Sequence, residues 1–273
     1  MKQLQFSFLP DVPPEIPPVS DFLFPPLDAQ TETPWGGTLP TRSESHIVVG
    51  NRHVGLRFVQ WLDAWGGLFQ QKTLEPVFLG MIYDFNSYSM WRHLQRIAQA
   101  YRCAVHVIAN PSSDPTNPQR CNQTSFDDAS YGPHQSLRVK DSLLKYRLNT
   151  EVLLPLIRAE EFPDTESPIP AFLPTLLLPP MEGGTRIHSK FALLGYTDGY
   201  EVIPHIALLM SANWTNHGLG FSGAGHTNVA WNQLNFFLAV DDVRVVETLF
   251  LHWCDVAHSL LLAQTKNITR PTE

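Results

Sequence analysis

Cysteine is scarce in this chain, and what there is does not form a pattern. Cys103, Cys121 and Cys254 are odd in number and widely spaced, with no C-x-x-C or comparable ligand spacing. That excludes a disulfide framework and a cysteine-built zinc site, and it reads as reduced thiols. No apolar run approaches the roughly 20 residues that a membrane helix needs. The opening MKQLQFSFLPDVPPEIPPV is too broken by proline to act as a secretory signal. A cytoplasmic protein is expected, and the N-x-T sequons at Asn122, Asn213 and Asn267 are then chance matches. Positive charge is short as well: 19 Lys+Arg stand against 26 Asp+Glu, a formal net charge of −7. A broad basic surface for nucleic acid is excluded, although a local cleft could still hold a few phosphates.

What is present is enough apolar material for a core. The chain has 273 residues, 43% of them hydrophobic, which suits one large domain or a domain with an appendage. Residues 1–45 are rich in proline and show no sustained period. Phe6, Phe8, Leu9, Phe22, Leu23 and Phe24 make them too apolar for a free tail, so a packed N-terminal arm is expected, with the main domain over 46–273.

Within that domain, Gly55–Gln70 has the pattern of an amphipathic helix with an aromatic side, stopping at Gly66–Gly67. Its tryptophans read as core rather than as base-stacking platforms. Val77–Asp84 reads as a buried strand, Ser89 as the cap of a following helix, and Ala104–Ala109 as a second strand. A strand–helix–strand of this length is a parallel crossover. The polar stretch 110–135 reads as a long loop bordering a site, Ser136–Asn149 as a helix and Glu151–Ile157 as a strand. Near the end, Leu234–Val240 reads as a strand, followed by a helix capped by Asp241 or Asp242 that runs to about Leu262. The fold class is α/β.

Chemistry concentrates in RIHSKFALLGY and ALLMSANWTNHGLG. His188 and Lys190 are two apart, as are Ser211 and Asn213, and residues i and i+2 of a strand share a face. An imidazole can attack phosphorus while an ammonium and an amide hold the oxygens. The plainer alternative is a surface pair on an edge strand. Phe191, Leu193 and Leu194 argue for an interior strand instead, where a buried lysine needs an anion.

These residues, His188-Ser189-Lys190 and Met210-Ser211-Ala212-Asn213, resemble the signature of the phospholipase D superfamily, a His-x-Lys pair, a short gap and then Gly-Ser-x-Asn, with a gap here several residues longer than usual around TDGYEVIP. The similarity extends over roughly residues 75–260, from FLGMIYDFNSYSMWRHLQRIAQAYRCAVHVIAN to NQLNFFLAVDDVRVVETLFLHWCDVA, and is greatest with the family's small bacterial nucleases. Two positions depart from the family pattern. Gly195 stands where an aspartate is usual, as it also is absent in the tyrosyl-DNA phosphodiesterase branch. Asn232, Gln233 and Asn235 stand where an acid usually follows the asparagine.

The resemblance implies an α-β-α sandwich with a mixed sheet between helices, and a catalytic domain over 46–273. It implies His188 as nucleophile, Lys190 and Asn213 on the non-bridging oxygens, and Ser211 as a further donor. Arg186, Trp214 and Asn235 would touch substrate. Neither metal nor other cofactor is implied, because lysines supply the charge. The superfamily site needs two His-Lys-Asn sets, and none of the other ten histidines has a lysine two positions on. A homodimer is therefore expected to complete the site.

Three function classes fit these residues. One is a metal-independent phosphodiesterase or endonuclease acting on nucleic acid, DNA ahead of RNA. The second is a phospholipase D-type lipid phosphodiesterase or transferase, disfavoured by the absence of an interfacial amphipathic helix. The third is a catalytically degenerate binding module, because a fold alone does not carry activity.

Overall fold

Strands that are apolar on both faces have to be covered on both, and that requirement shapes this molecule. The computed structural model describes residues 15–27, 31–32, 38–39, 42–50, 53–70, 74–85, 87–110, 175–177, 187–197, 201–221 and 235–268. In chain order they form a two-stranded ribbon of β1 (Thr31–Glu32) and β2 (Thr38–Leu39), then β3 (Arg42–Ser43), β4 (Ile47–Gly50), helix α1 (Val54–Phe69), β5 (Glu75–Ile82), α2 (Tyr88–Tyr101) and β6 (Ala104–Ala109). There follow β7 (Thr175–Leu177), β8 (Lys190–Thr197), β9 (Val202–Met210), the short α3 (Asn216–Leu219), β10 (Asn235–Val240) and α4 (Val243–Ile268). Among the described residues the main sheet has eight strands in the order β3-β4-β10-β9-β8-β5-β6-β7. β5, β6 and β7 run parallel, and every other pairing is antiparallel.

Alternation along the strands separates two cores. Phe78 and Ile82 of β5 join Val105 and Val107 of β6 under α1 and α2, whose Phe58, Trp61, Trp65, Met90, Trp91 and Leu94 are buried there. Val77, Leu79 and Met81 face the other way, against Val246, Trp253, Ala257 and Leu260 of α4. The Trp253 indole N–H donates to the Gly80 carbonyl at 2.8 Å and ties that helix to the central strand. The molecule is an α-β-α sandwich around a mixed sheet, the expected class, and β5–α2–β6 is the expected parallel crossover.

Local details differ from the sequence reading. The cap of α2 is Ser87, whose hydroxyl accepts from the Met90 N–H at 3.2 Å, and Ser89 lies inside the helix. Helix α1 runs on through Gly66–Gly67 to Phe69. Gly66 is there for approach rather than for termination, since a Cβ at that position would overlap the Tyr101 ring of α2. Asp242 caps α4 by accepting from the N–H groups of Arg244 and Val245, and the helix continues to Ile268. The neighbouring Asp241 instead accepts from the Val19 N–H at 2.7 Å.

That bond is part of how the N-terminal segment is held. Phe22 and Phe24 pack on Trp61 with ring centroids 4.8 and 5.3 Å away, and the Arg57 guanidinium donates to the Pro25 carbonyl at 3.1 Å. The expected loop after Asn110, the helix at 136–149, the strand at 151–157 and Cys121 lie outside the described residues. Cys103 and Cys254 are free and buried. Among the described residues no helix is long and apolar enough to cross a membrane.

Candidate active site

One end of the sheet gathers the chemistry, and strand register determines which residues meet there. Ile82 pairs with both Ala109 and Lys190, Phe191 pairs with Leu209, and Met210 pairs with Phe237. The residues after β5, β6 and β9 therefore share an edge with those that precede or open β8 and β10. They are Tyr83, Asp84, Asn110, His188, Lys190, Ser211, Asn213 and Asn235.

His188 and Lys190 do not project from one strand as expected. β8 opens at Lys190, and His188 lies two residues ahead of it in extended chain. What brings them together is Tyr83, just past the end of β5. The His188 ring lies 5.0 Å from the Tyr83 ring, tilted at 56°. The Lys190 ammonium is 5.6 Å from the centroid of that same ring and 3.4 Å from the His188 carbonyl. A cation over an aromatic face is favourable, so Tyr83 orients both groups. Lys190 is only half-buried and His188 is exposed. The lysine is not the fully buried cation that the apolar strand suggested, because it occupies the open end of that strand.

Ser211 and Asn213 follow β9 in a bend. The Ser211 hydroxyl donates to Asn235 Oδ1 at 3.1 Å and accepts from the Phe236 N–H at 2.9 Å. Asn235, buried, donates onward to the Gly218 carbonyl at 3.1 Å. Both side chains are thus committed to a clamp joining the end of β9, the start of β10 and α3. A hydroxyl has a single proton to give, and that of Ser211 goes to Asn235.

Trp214 has no face for a substrate. Its indole is 0% exposed, lies 5.2 Å from Phe58 and from Phe85 and 5.9 Å from Phe78, and donates to Met210 Sδ at 3.0 Å. Gly80 makes room for it, since a Cβ there would come within 2.6 Å of the indole. The Trp214 N–H donates to the Asp84 carbonyl and its carbonyl accepts from the Ser87 N–H, each at 3.0 Å. The expected substrate contact is instead the anchor of the motif loop, because a large flat ring gains most from complete burial.

Anchored in this way, Asn213 is half-buried, and its Oδ1 is buried with no hydrogen-bond partner among the described residues. Such a group in a folded protein calls for a ligand or a functional reason. Arg186 lies outside the described residues.

Three further residues shape the site without having been expected there. Tyr83 is the shared platform. Asn110, at the end of β6, donates to the Tyr83 carbonyl at 2.9 Å and binds both backbone groups of Ile187. Asp84, half-buried, has its carboxyl pushed above the usual range by burial. All three sit where an apolar strand ends in a polar residue, which is the only trace they leave in the sequence. At Gly195 a Cβ would lie 2.5 Å from the Ile203 carbonyl and 3.0 Å from Pro204 Cα, beside a register shift. No side chain fits there. No group of three or more His, Cys, Asp or Glu among the described residues is arranged to hold a metal.

Comparison with known proteins gives a limited picture. No family model matches the chain. No curated protein sequence matches it either. Among solved structures it is similar to NucT from Helicobacter pylori, with a TM-score of 0.35 and 14% identity over 71% of this chain and 85% of that one. It is also similar to polyphosphate kinase from Porphyromonas gingivalis, with a TM-score of 0.37 and 13% identity over 83% of this chain. This chain spans 26% of that kinase.

Proposed function

We propose that this protein is a metal-independent phosphodiesterase that hydrolyses nucleic acid, DNA ahead of RNA, through a phosphohistidine intermediate. One observation carries the reading. An exposed imidazole and an ammonium share the Tyr83 ring at the sheet edge where Asn213 holds a buried amide oxygen without a partner among the described residues. The resemblance of H-S-K and S-A-N to the phospholipase D motifs supports it independently.

In the proposed reaction a ring nitrogen of His188 attacks phosphorus, and the bond from phosphorus to the leaving oxygen breaks. A general acid gives that oxygen its proton. Water, deprotonated by the same group, then attacks the phosphohistidine, and the P–N bond breaks to restore His188. Lys190 stabilises the charge that builds on the non-bridging oxygens. Asn213 joins it: a half-turn of the amide exchanges its buried oxygen for an NH₂ donor. Ser211 and Asn235 act by holding the loop, and Trp214 by fixing its depth.

The general acid is the second histidine of a homodimer, in which a two-fold axis sets one His188 opposite another. A cytoplasmic location goes with this reading, and the free, buried thiols of Cys103 and Cys254 are in keeping with it. The test is nicking of a supercoiled plasmid in EDTA. Nicking that persists under chelation and disappears in His188→Ala supports the reading. Activity abolished by EDTA and restored by Mg²⁺ contradicts it, and release of choline from phospholipid vesicles without nicking would assign a lipid substrate.

A further inference from the structure

We propose that Asn110 is a positioning residue, fixing the segment that carries the reactive imidazole by standing in for a missing strand partner. The inference rests on the functional reading above for what is positioned, but on geometry alone for how.

Ile187 immediately precedes His188 and lies ahead of the start of β8, so its peptide groups are beyond that strand's ladder with β5. The Asn110 side chain supplies what the ladder no longer does. Its Oδ1 accepts from the Ile187 N–H at 2.9 Å, and its Nδ2 donates to the Ile187 carbonyl at 2.6 Å. Together these two bonds close a ring of the kind one strand residue makes with its antiparallel partner. The second Nδ2 proton goes to the Tyr83 carbonyl at 2.9 Å. One buried amide therefore grips the residue before His188 and the backbone of the tyrosine on which the His188 ring lies. The pattern also fixes the orientation of the amide, because two carbonyls require the NH₂ end and one N–H requires the oxygen. No other residue type offers this set at this length: aspartate lacks the donors, and glutamine is one methylene too long.

The Asn110 amide touches neither substrate nor reacting atoms, so its effect passes through His188. A ring displaced by a fraction of an ångström loses alignment with phosphorus, and kcat falls more than KM rises.

The experiment compares wild type, Asn110→Ala and the isosteric Asn110→Asp with bis(p-nitrophenyl) phosphate as probe. Kinetics are read well below each variant's melting temperature, and the His188 ring signals are followed by NMR through a pH titration. The expected result is a fall in kcat of about tenfold or more with KM within about twofold of wild type, together with a displaced or broadened His188 resonance in both variants. Asn110→Asp keeps the shape and the Ile187 N–H acceptor, so it tests the donors even if the alanine variant does not fold. A kcat per folded molecule within about twofold of wild type in either variant overturns the inference. If wild type hydrolyses no phosphodiester, the functional reading fails and the NMR decides this one: an unchanged His188 resonance and titration in both variants overturns it, and a changed one sustains it.

Discussion

His188 lies exposed on the Tyr83 ring, so replacing it removes chemistry and almost no packing. His188→Ala is expected to lower kcat by about 10³-fold or more with an unchanged melting temperature, and Lys190→Ala by about 10²-fold. Single-turnover assays beside thermal melts check both, and a His188→Ala variant that turns over normally removes the nucleophile from the mechanism. Trp214 should behave in the opposite way. Its indole fills a cage of Phe58, Phe78 and Phe85 with no exposed surface, and Trp214→Ala should cost about 3–5 kcal/mol of stability. Urea unfolding measures that loss, and a midpoint shift near zero would show the cage to be unimportant. Gly195 invites a tempting repair, since it stands where the resembling motif has an aspartate. The space is taken by the backbone of Ile203 and Pro204. Gly195→Asp is expected to destabilise by at least about 1–3 kcal/mol and to leave activity no higher, as unfolding midpoints and a nicking assay would show.

Among the elements, β6 carries a group that responds to acid. His106 lies in that strand fully buried, and burial pushes its imidazole down to about 4. In the unfolded chain the same ring takes a proton near 6.5. Between those values the unfolded state binds more protons than the folded one, so stability falls as pH drops from about 6.5 toward about 4, by ~3 kcal/mol at most. Melting temperature against pH should therefore be steeper for wild type than for His106→Leu in that window, and parallel curves would refute the assignment. Elements such as β5, α2 and β6 were legible in the sequence because their signals are local: unbroken apolar runs, then helical spacing. The motif residues were legible for the same reason, each being a short contiguous pattern. The assembly of the site was not. Asn110 meets Ile187 across 77 positions, and Ser211 meets Asn235 across 24, through register that no single segment records. Trp214 was misread because its burial depends on Gly80 of another strand leaving a space.

On the scale of the whole molecule, the proposed reaction asks for two copies of the chain. If each working site takes one His188 from either copy, mixing equal amounts of wild type and His188→Ala and allowing them to re-pair leaves about a quarter of the dimers wholly wild type. Activity should then drop to about half of what the wild-type chains give alone. Activity unaffected by mixing, or turnover by a monomer at assay concentration, excludes the shared site. The closures within a single chain are longer still. Trp253 reaches back 173 positions to Gly80, and the Val19 N–H waits for Asp241, 222 positions later. During synthesis the first-made strands have no lid on their α4 side until that helix leaves the ribosome. Tyr83 and Asn110 are likewise translated long before the His188 segment they hold. A nascent chain stalled ahead of β8 has a platform and a clamp with nothing to grip. Whatever chemistry this sheet edge performs cannot begin before that segment has been made.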